Sequence, residues 1–171
     1  MSRSGSCSSE NDRLDRSAPR PPNESALCPR SRSAGARVGL VTLKALLKTE
    51  ALRRLDGREY RFCDDPGCDI VYFDDAAQSQ FLKSDLRTRV GQKETEDPVP
   101  ICYCFDVTMA DLRKDFATRG GSNARARVAA EIRAGHCACE VRNPQGVCCL
   151  ASLSRAEELV RSEGVFGRAR Q

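Results

Sequence analysis

The sequence predicts an α+β protein, a small β-hairpin unit followed by a helical-hairpin unit, and three observations carry that reading. Two short runs rich in aromatic and β-branched residues, EYRFC (Glu59–Cys63) and DIVYF (Asp69–Phe73), flank the turn chemistry of Pro66-Gly67. Beyond residue 100 the pattern turns helical, with Met109, Leu112 and Phe116 on one stripe and Val128 and Ile132 on another. Ten cysteines in 171 residues then bracket both patterns. Cys63 and Cys68 flank the hairpin tip, CYC precedes the helices, and CACEVRNPQGVCC follows them.

The elements follow in order. Residues 1–25 are rich in Ser, Arg, Pro and Asn, a composition that buries too little to order itself, so a disordered tail is expected, with Cys7 as an isolated thiol without a role. Val38–Val41 is a short apolar run, and Thr42 is placed to cap a helix through Leu47. Ala51–Leu55 adds a helical turn before Gly57. After the hairpin, Phe81–Leu82 and Leu86–Val90 read as a further strand or two, which closes a β-rich unit over residues 26–93. Residues 94–100 (ETEDPVP) read as a linker.

The helical unit is expected over residues 101–153. Thr108 and Asp111 resemble a capping box, Gly120-Gly121 ends the first helix, Ser122 can cap the second (Ala124–Ala134), and Gly135 stops it. A last helix is expected at Ser154–Ser162 within residues 154–171, with Leu159 and Val160 as its buried side.

Composition says what must hold so small a pair of units together. Charged residues are 30%, aromatics 5%, and Trp is absent, so bulky core material is scarce and metals or disulfides are the usual substitutes. The opening MSRSGSCSSENDRLDRS lacks the apolar stretch of a secretory signal, and no run approaches about 18 apolar residues. A cytoplasmic chain without membrane association is therefore expected, and there clustered cysteines are metal ligands or redox groups. Charge argues against nucleic acid. Residues 1–37 hold seven Arg against four acids, whereas the remainder holds 21 Lys/Arg against 20 Asp/Glu. The body is nearly neutral, so Arg125, Arg127 and Arg133 on the second helix do not amount to a basic groove.

Six thiols concentrate in the second half: Cys102, Cys104, Cys137, Cys139, Cys148 and Cys149. A helical hairpin brings the chain back to its start, so the groups on either side of it converge on one multi-thiolate site. By ligand softness four thiolates suit Zn²⁺ or an iron–sulfur cluster equally. Structural zinc favours C-x₂₋₄-C knuckles, which C-x-C and adjacent C-C do not make, so spacing leans toward a [2Fe–2S] cluster. His136 is the sole histidine, which excludes a Rieske centre, and it suits a helix carboxyl end. Asp64, Asp65, Asp74 and Asp75 read as turn residues. No nucleotide loop, Ser-His-Asp set or HExxH motif appears, so an enzyme in the usual sense is not expected, one-electron reduction of a metal ion aside.

With IVYF, DPVPICYC and CACEVRNPQGVCC quoted, the chain from about Cys28 to Leu150 resembles the amino-terminal domain of the CopZ copper-chaperone family. The resemblance implies a zinc-binding unit followed by a [2Fe–2S] unit similar to bacterioferritin-associated ferredoxin. It implies Cys102 and Cys104 as one ligand pair and Cys139 and Cys149 as the other, with Cys137 and Cys148 as alternates. For zinc it implies Cys28, Cys63 and Cys68, while Ser31 stands where the family's CPxC has its second thiolate. The family's copper-carrying CxxC domain has no counterpart in this chain. The expectation is a zinc- and iron–sulfur-binding accessory protein in electron transfer or metal handling linked to copper or mercury. Its partner would be a redox protein, a metal transporter or a chaperone. The alternative is a structural zinc-binding interaction module without redox activity.

Overall fold

In the computed structural model, described here for residues 26–168 (side chains to residue 163), the hairpin foreseen from EYRFC and DIVYF is the centre of a larger sheet. Strands β2 (Tyr60–Cys63) and β3 (Ile70–Asp74) pair antiparallel, with Phe62 opposite Tyr72. β1 (Gly35–Val38) adds to one edge and β4 (Gln80–Leu82) to the other, giving an antiparallel meander in the order β1-β2-β3-β4. The expected tail and Cys7 lie outside the described residues.

Between β1 and β2 the chain forms α1 (Leu40–Leu46) and the single turn α2 (Thr49–Leu52). Gly39, not Thr42, occupies the amino-terminal cap of α1, and Thr42 is buried in the helix. The reason is where its hydroxyl goes: Thr42 Oγ1 donates to the carbonyl of Glu140 at 2.6 Å, far along the chain. Leu43, Leu47, Tyr60, Phe62, Val71, Tyr72 and Phe81 form the first core between these helices and the sheet. Leu86–Val90 is not a strand. Leu86 makes one bridge to Leu47, and Arg87 is spent on α1's carboxyl end, its backbone bonding Leu46 O and its Nε donating to Leu47 O. Two 3₁₀ turns, Lys83–Asp85 and Gly91–Lys93, flank that segment. The following residues 94–100 are pinned by Arg89, whose guanidinium reaches Glu94 and the carbonyls of Glu96 and Pro98.

The second half begins with a two-stranded ribbon, β5 (Pro100–Cys102) and β6 (Val107–Thr108), and leads into α3 (Met109–Arg119). The capping box is formed as foreseen: Asp111 N donates to Thr108 Oγ1 at 3.2 Å and Thr108 N donates to Asp111 Oδ2 at 2.9 Å. Gly120 ends α3 in the left-handed conformation. α4 (Ala124–Arg133) follows, with Ser122 Oγ accepting from Ala124 N, then the single turn α5 (Cys139–Arg142) and the long α6 (Leu150–Arg168). The expected helical hairpin is not how this unit is held: α3 and α4 each pack on α6 far more than on one another, because α6 carries the apolar stripe on which both short helices close. The stripe of α6 that enters this core is Leu153, Ala156 and Val160. Leu159 was expected in it but is half exposed, one residue out of register with the stripe.

The two halves meet closely. α1 packs on α5, and Tyr72, fully buried in the sheet, donates its hydroxyl to Pro144 O at 2.8 Å. Gly146 has φ 68°, and a Cβ there would come within 2.9 Å of Thr42 Oγ1, so glycine meets both the turn and the close approach. No described helix is long and apolar enough to cross a membrane.

Candidate metal centres

The first centre is built by the sheet. Cys63 ends β2, Cys68 precedes β3, and the turn between them is closed by Cys68 N bonding Asp65 O while Asp65 Oδ1 accepts from Gly67 N. Lys93 is buried and donates Nζ to Asp65 O at 2.6 Å, which anchors that turn from the far side. Asp75 is a turn residue as foreseen and pairs with the buried Arg61, whereas Asp74 is the buried last residue of β3, its Oδ1 accepting from Ser79 N across the turn. Cys28 arrives on its own tight turn, with its N–H on Ser33 O and its carbonyl accepting from Arg32 N.

Cys28, Cys63 and Cys68 are all buried, and their sulfurs lie within 4.8 Å of one another. A tetrahedral zinc with Zn–S near 2.3 Å sets neighbouring sulfurs about 3.8 Å apart, and Cys28 Sγ to Cys68 Sγ is 3.9 Å. That edge matches a zinc tetrahedron, and Cys63 Sγ lies within 4.8 Å of both sulfurs, close enough for a third vertex. Ser31 lies against the same group, its Oγ 3.4 Å from Cys63 Sγ and 2.8 Å from Ser33 Oγ, and Ser33 Oγ is itself 3.6 Å from Cys63 Sγ. Burial pushes Cys28 upward, but hydrogen bonds from the Ser31 hydroxyl and the Ser31 and Arg30 backbones outweigh it, leaving the thiol at about 7. Burial dominates at Cys68 and raises it. Ser33 had no place in the sequence reading, since a second serine two residues on carries no signal until the turn folds it back.

The second centre lies where β5, α5 and the start of α6 meet. Cys149 Sγ is 2.9 Å from Cys102 Sγ, both buried, and Cys104 Sγ is 3.8 Å from Cys139 Sγ. A backbone amide points at one of these sulfurs: Ala138 N–H donates to Cys104 Sγ at 3.3 Å. The hydrogen bond from Cys149 lowers Cys102 to about 6, while the same contact raises Cys149. Burial, with Cys104 beside it, pushes Cys139 up to about 12. Of the other two thiols, Cys148 is exposed and Cys137 half-buried. His136 is largely exposed and pairs its Nδ1 with Glu131. All nine described cysteines are free thiols.

The loop between Cys139 and Cys148 has a bracing role that its sequence alone does not show. Its carbonyls at Glu140 and Pro144 accept from Thr42 and Tyr72 of the first half. Within it, Asn143 Nδ2 donates to Val147 O and Asn143 Oδ1 accepts from Gln145 N. The second centre is thus braced from within and from the sheet unit.

Comparison with known proteins agrees with this architecture. Residues 25–87 match the CopZ-type family described as a zinc binding domain. Over 128 residues the chain is 35% identical to the copper chaperone CopZ of Archaeoglobus fulgidus, an alignment covering 75% of this chain and 60% of that protein. It therefore spans less than two thirds of that relative's length. The X-ray structure of the amino-terminal domain of the Archaeoglobus fulgidus CopZ superposes with a TM-score of 0.65 at 36% identity, covering 75% of this chain and 95% of that one. The chain belongs to the CopZ family, in the part represented by that amino-terminal domain.

Proposed function

We propose that this chain is a metal-handling accessory protein of copper homeostasis in which a zinc-organised sheet unit supports a [2Fe–2S] site that passes single electrons. The observation that supports it is the convergence of four thiols from three distant segments, Cys102 with Cys149 and Cys104 with Cys139. The Ala138 amide directed at Cys104 favours the charged thiolate that a cluster needs. Those four residues would hold the cluster, which when bound supplies a one-electron couple suited to taking Cu(II) to Cu(I). The protein's own contribution is to bury Cys102 and Cys149, restrict water, and hold the loop carrying Cys139 in register. Cys148 and Cys137 stay outside the paired set and are available to a soft cation. The partner on this reading is a metal transporter, chaperone or redox protein, a role suggested by the relative's name as a copper chaperone.

Anaerobic purification tests it. The expected protein is coloured, holds iron and sulfide in equal amounts beside zinc, and bleaches on one-electron reduction. Serine at Cys102, Cys104, Cys139 or Cys149 should cost the iron, and serine at Cys137 or Cys148 should not. A colourless protein with zinc at both centres would instead make it a structural zinc module.

A further inference from the structure

We infer that the Ser31 hydroxyl is the fourth donor of the zinc site, completing three thiolates with one oxygen. The inference rests on the zinc reading of Cys28, Cys63 and Cys68 and departs from the all-thiolate set that the family's CPxC would give. Geometry is its basis. With Zn–S about 2.3 Å and Zn–O about 2.0 Å, a tetrahedral site has a sulfur–oxygen edge of about 3.5 Å. Ser31 Oγ is 3.4 Å from Cys63 Sγ. The sulfur–sulfur edge is matched in the same group by Cys28 and Cys68 at 3.9 Å, so one tetrahedron fits both observations.

The surrounding turn holds the hydroxyl there. Cys28 N bonds Ser33 O at 2.9 Å, Arg32 N bonds Cys28 O at 3.0 Å, and Arg30 ties the turn to Asp69 at 3.0 Å. Ser33 supplies what an oxygen ligand requires next. Once a lone pair of Ser31 Oγ faces the metal, its proton needs an acceptor, and Ser33 Oγ lies 2.8 Å away. Ser33 can in turn donate to Cys63 Sγ at 3.6 Å, so the pair forms a short relay ending on a ligand sulfur. A neutral hydroxyl is a poorer zinc donor than a thiolate. The site should release zinc more readily than an all-thiolate one and yield it to thiophilic ions.

The test is zinc-edge X-ray absorption on the full chain, which iron at the other centre does not obscure, together with chelator competition. The wild type should show three sulfurs and one oxygen. Ser31→Cys should convert this to four sulfurs and raise affinity at least about tenfold, and Ser31→Ala should lower it about tenfold or more, the scale on which even supporting residues act. Ser33→Ala should keep the donor set with a smaller loss. The inference is overturned if Ser31→Ala keeps wild-type affinity, including when Ser31→Cys reaches the metal, because water then holds the vertex. It is also overturned if Ser31→Cys still shows three sulfurs and one oxygen. A wild type that binds no zinc would overturn the underlying zinc reading instead.

Discussion

Replacing Tyr72 by Phe removes a single oxygen from the seam between the two halves and leaves the ring in place. Tyr72 is fully buried, and its hydroxyl is driven well above the ordinary tyrosine range by that burial, so it is a neutral donor at any working pH. Its partner, Pro144 O at 2.8 Å, is a carbonyl on a buried residue with no other donor among the described hydrogen bonds. Truncation therefore leaves a buried acceptor unpaired, which costs about 1–3 kcal/mol. For a chain of this size each kcal/mol moves the melting temperature by about 2–4 °C. The loss should also be local. Amide exchange should accelerate across residues 139–149, where Pro144 sits, and much less in β1–β4. Adding Thr42→Val, which deletes the neighbouring bond to Glu140 O at 2.6 Å, should give a non-additive double mutant, since both bonds hold one loop. Circular dichroism melts and mass-resolved hydrogen exchange on the metal-loaded protein read both quantities. A Tyr72→Phe protein with wild-type exchange over residues 139–149 would refute the idea that the sheet braces the second centre.

Gly91→Ala should be severely destabilising, because its Cβ would stand 1.9 Å from the backbone oxygen of Pro100, which cannot swing aside. A loss above about 1–3 kcal/mol is expected in urea titration, and a near-neutral variant would show that the Gly91 and Pro100 segments separate freely. Asp74→Asn addresses acid stability. Burial acts to raise this carboxylate, but the Ser79 amide and Arg58 guanidinium outweigh it and hold it below its ordinary value. A depressed carboxylate stabilises fully above its unfolded value and loses that contribution as pH falls through the lower folded one. The variant should melt earlier at neutral pH and show a flatter decline below about pH 4. Parallel melting curves for both proteins would remove Asp74 from the acid limb.

How much of this was legible depended on whether the deciding neighbour was close in sequence. EYRFC and DIVYF announced β2 and β3 because alternation and turn chemistry lie within fifteen residues of each other. The Thr108 capping box and the Gly120 stop are similarly local. β1 was not visible: GARV has weak strand character and is a strand because it pairs with β2, where a Cβ on Gly35 would strike the Phe73 ring. Thr42 looked like a cap, and only the distant Glu140 carbonyl makes it an interior helix residue. At the centres, cysteine counting found every thiol that the fold gathers. Which of the late thiols face Cys102 and Cys104 depends on α5 and the start of α6, about which spacing is silent. Ser31 was visible only as a missing sulfur, and its proximity to Cys63 is a property of the folded turn.

The start of α6 ties thiol placement to helix register. Leu153 N bonds Cys149 O, so Cys149 stands at the mouth of the helix, four residues before the first of Leu153, Ala156 and Val160. One residue inserted between Cys149 and Leu153 would swing the thiol about 100° around the helix axis relative to the buried stripe. Residues added beyond the stripe would leave that phase untouched. Chain length is therefore free to vary at one end of this helix and not at the other, and homologous or designed versions can be aligned with confidence from Cys149 forward.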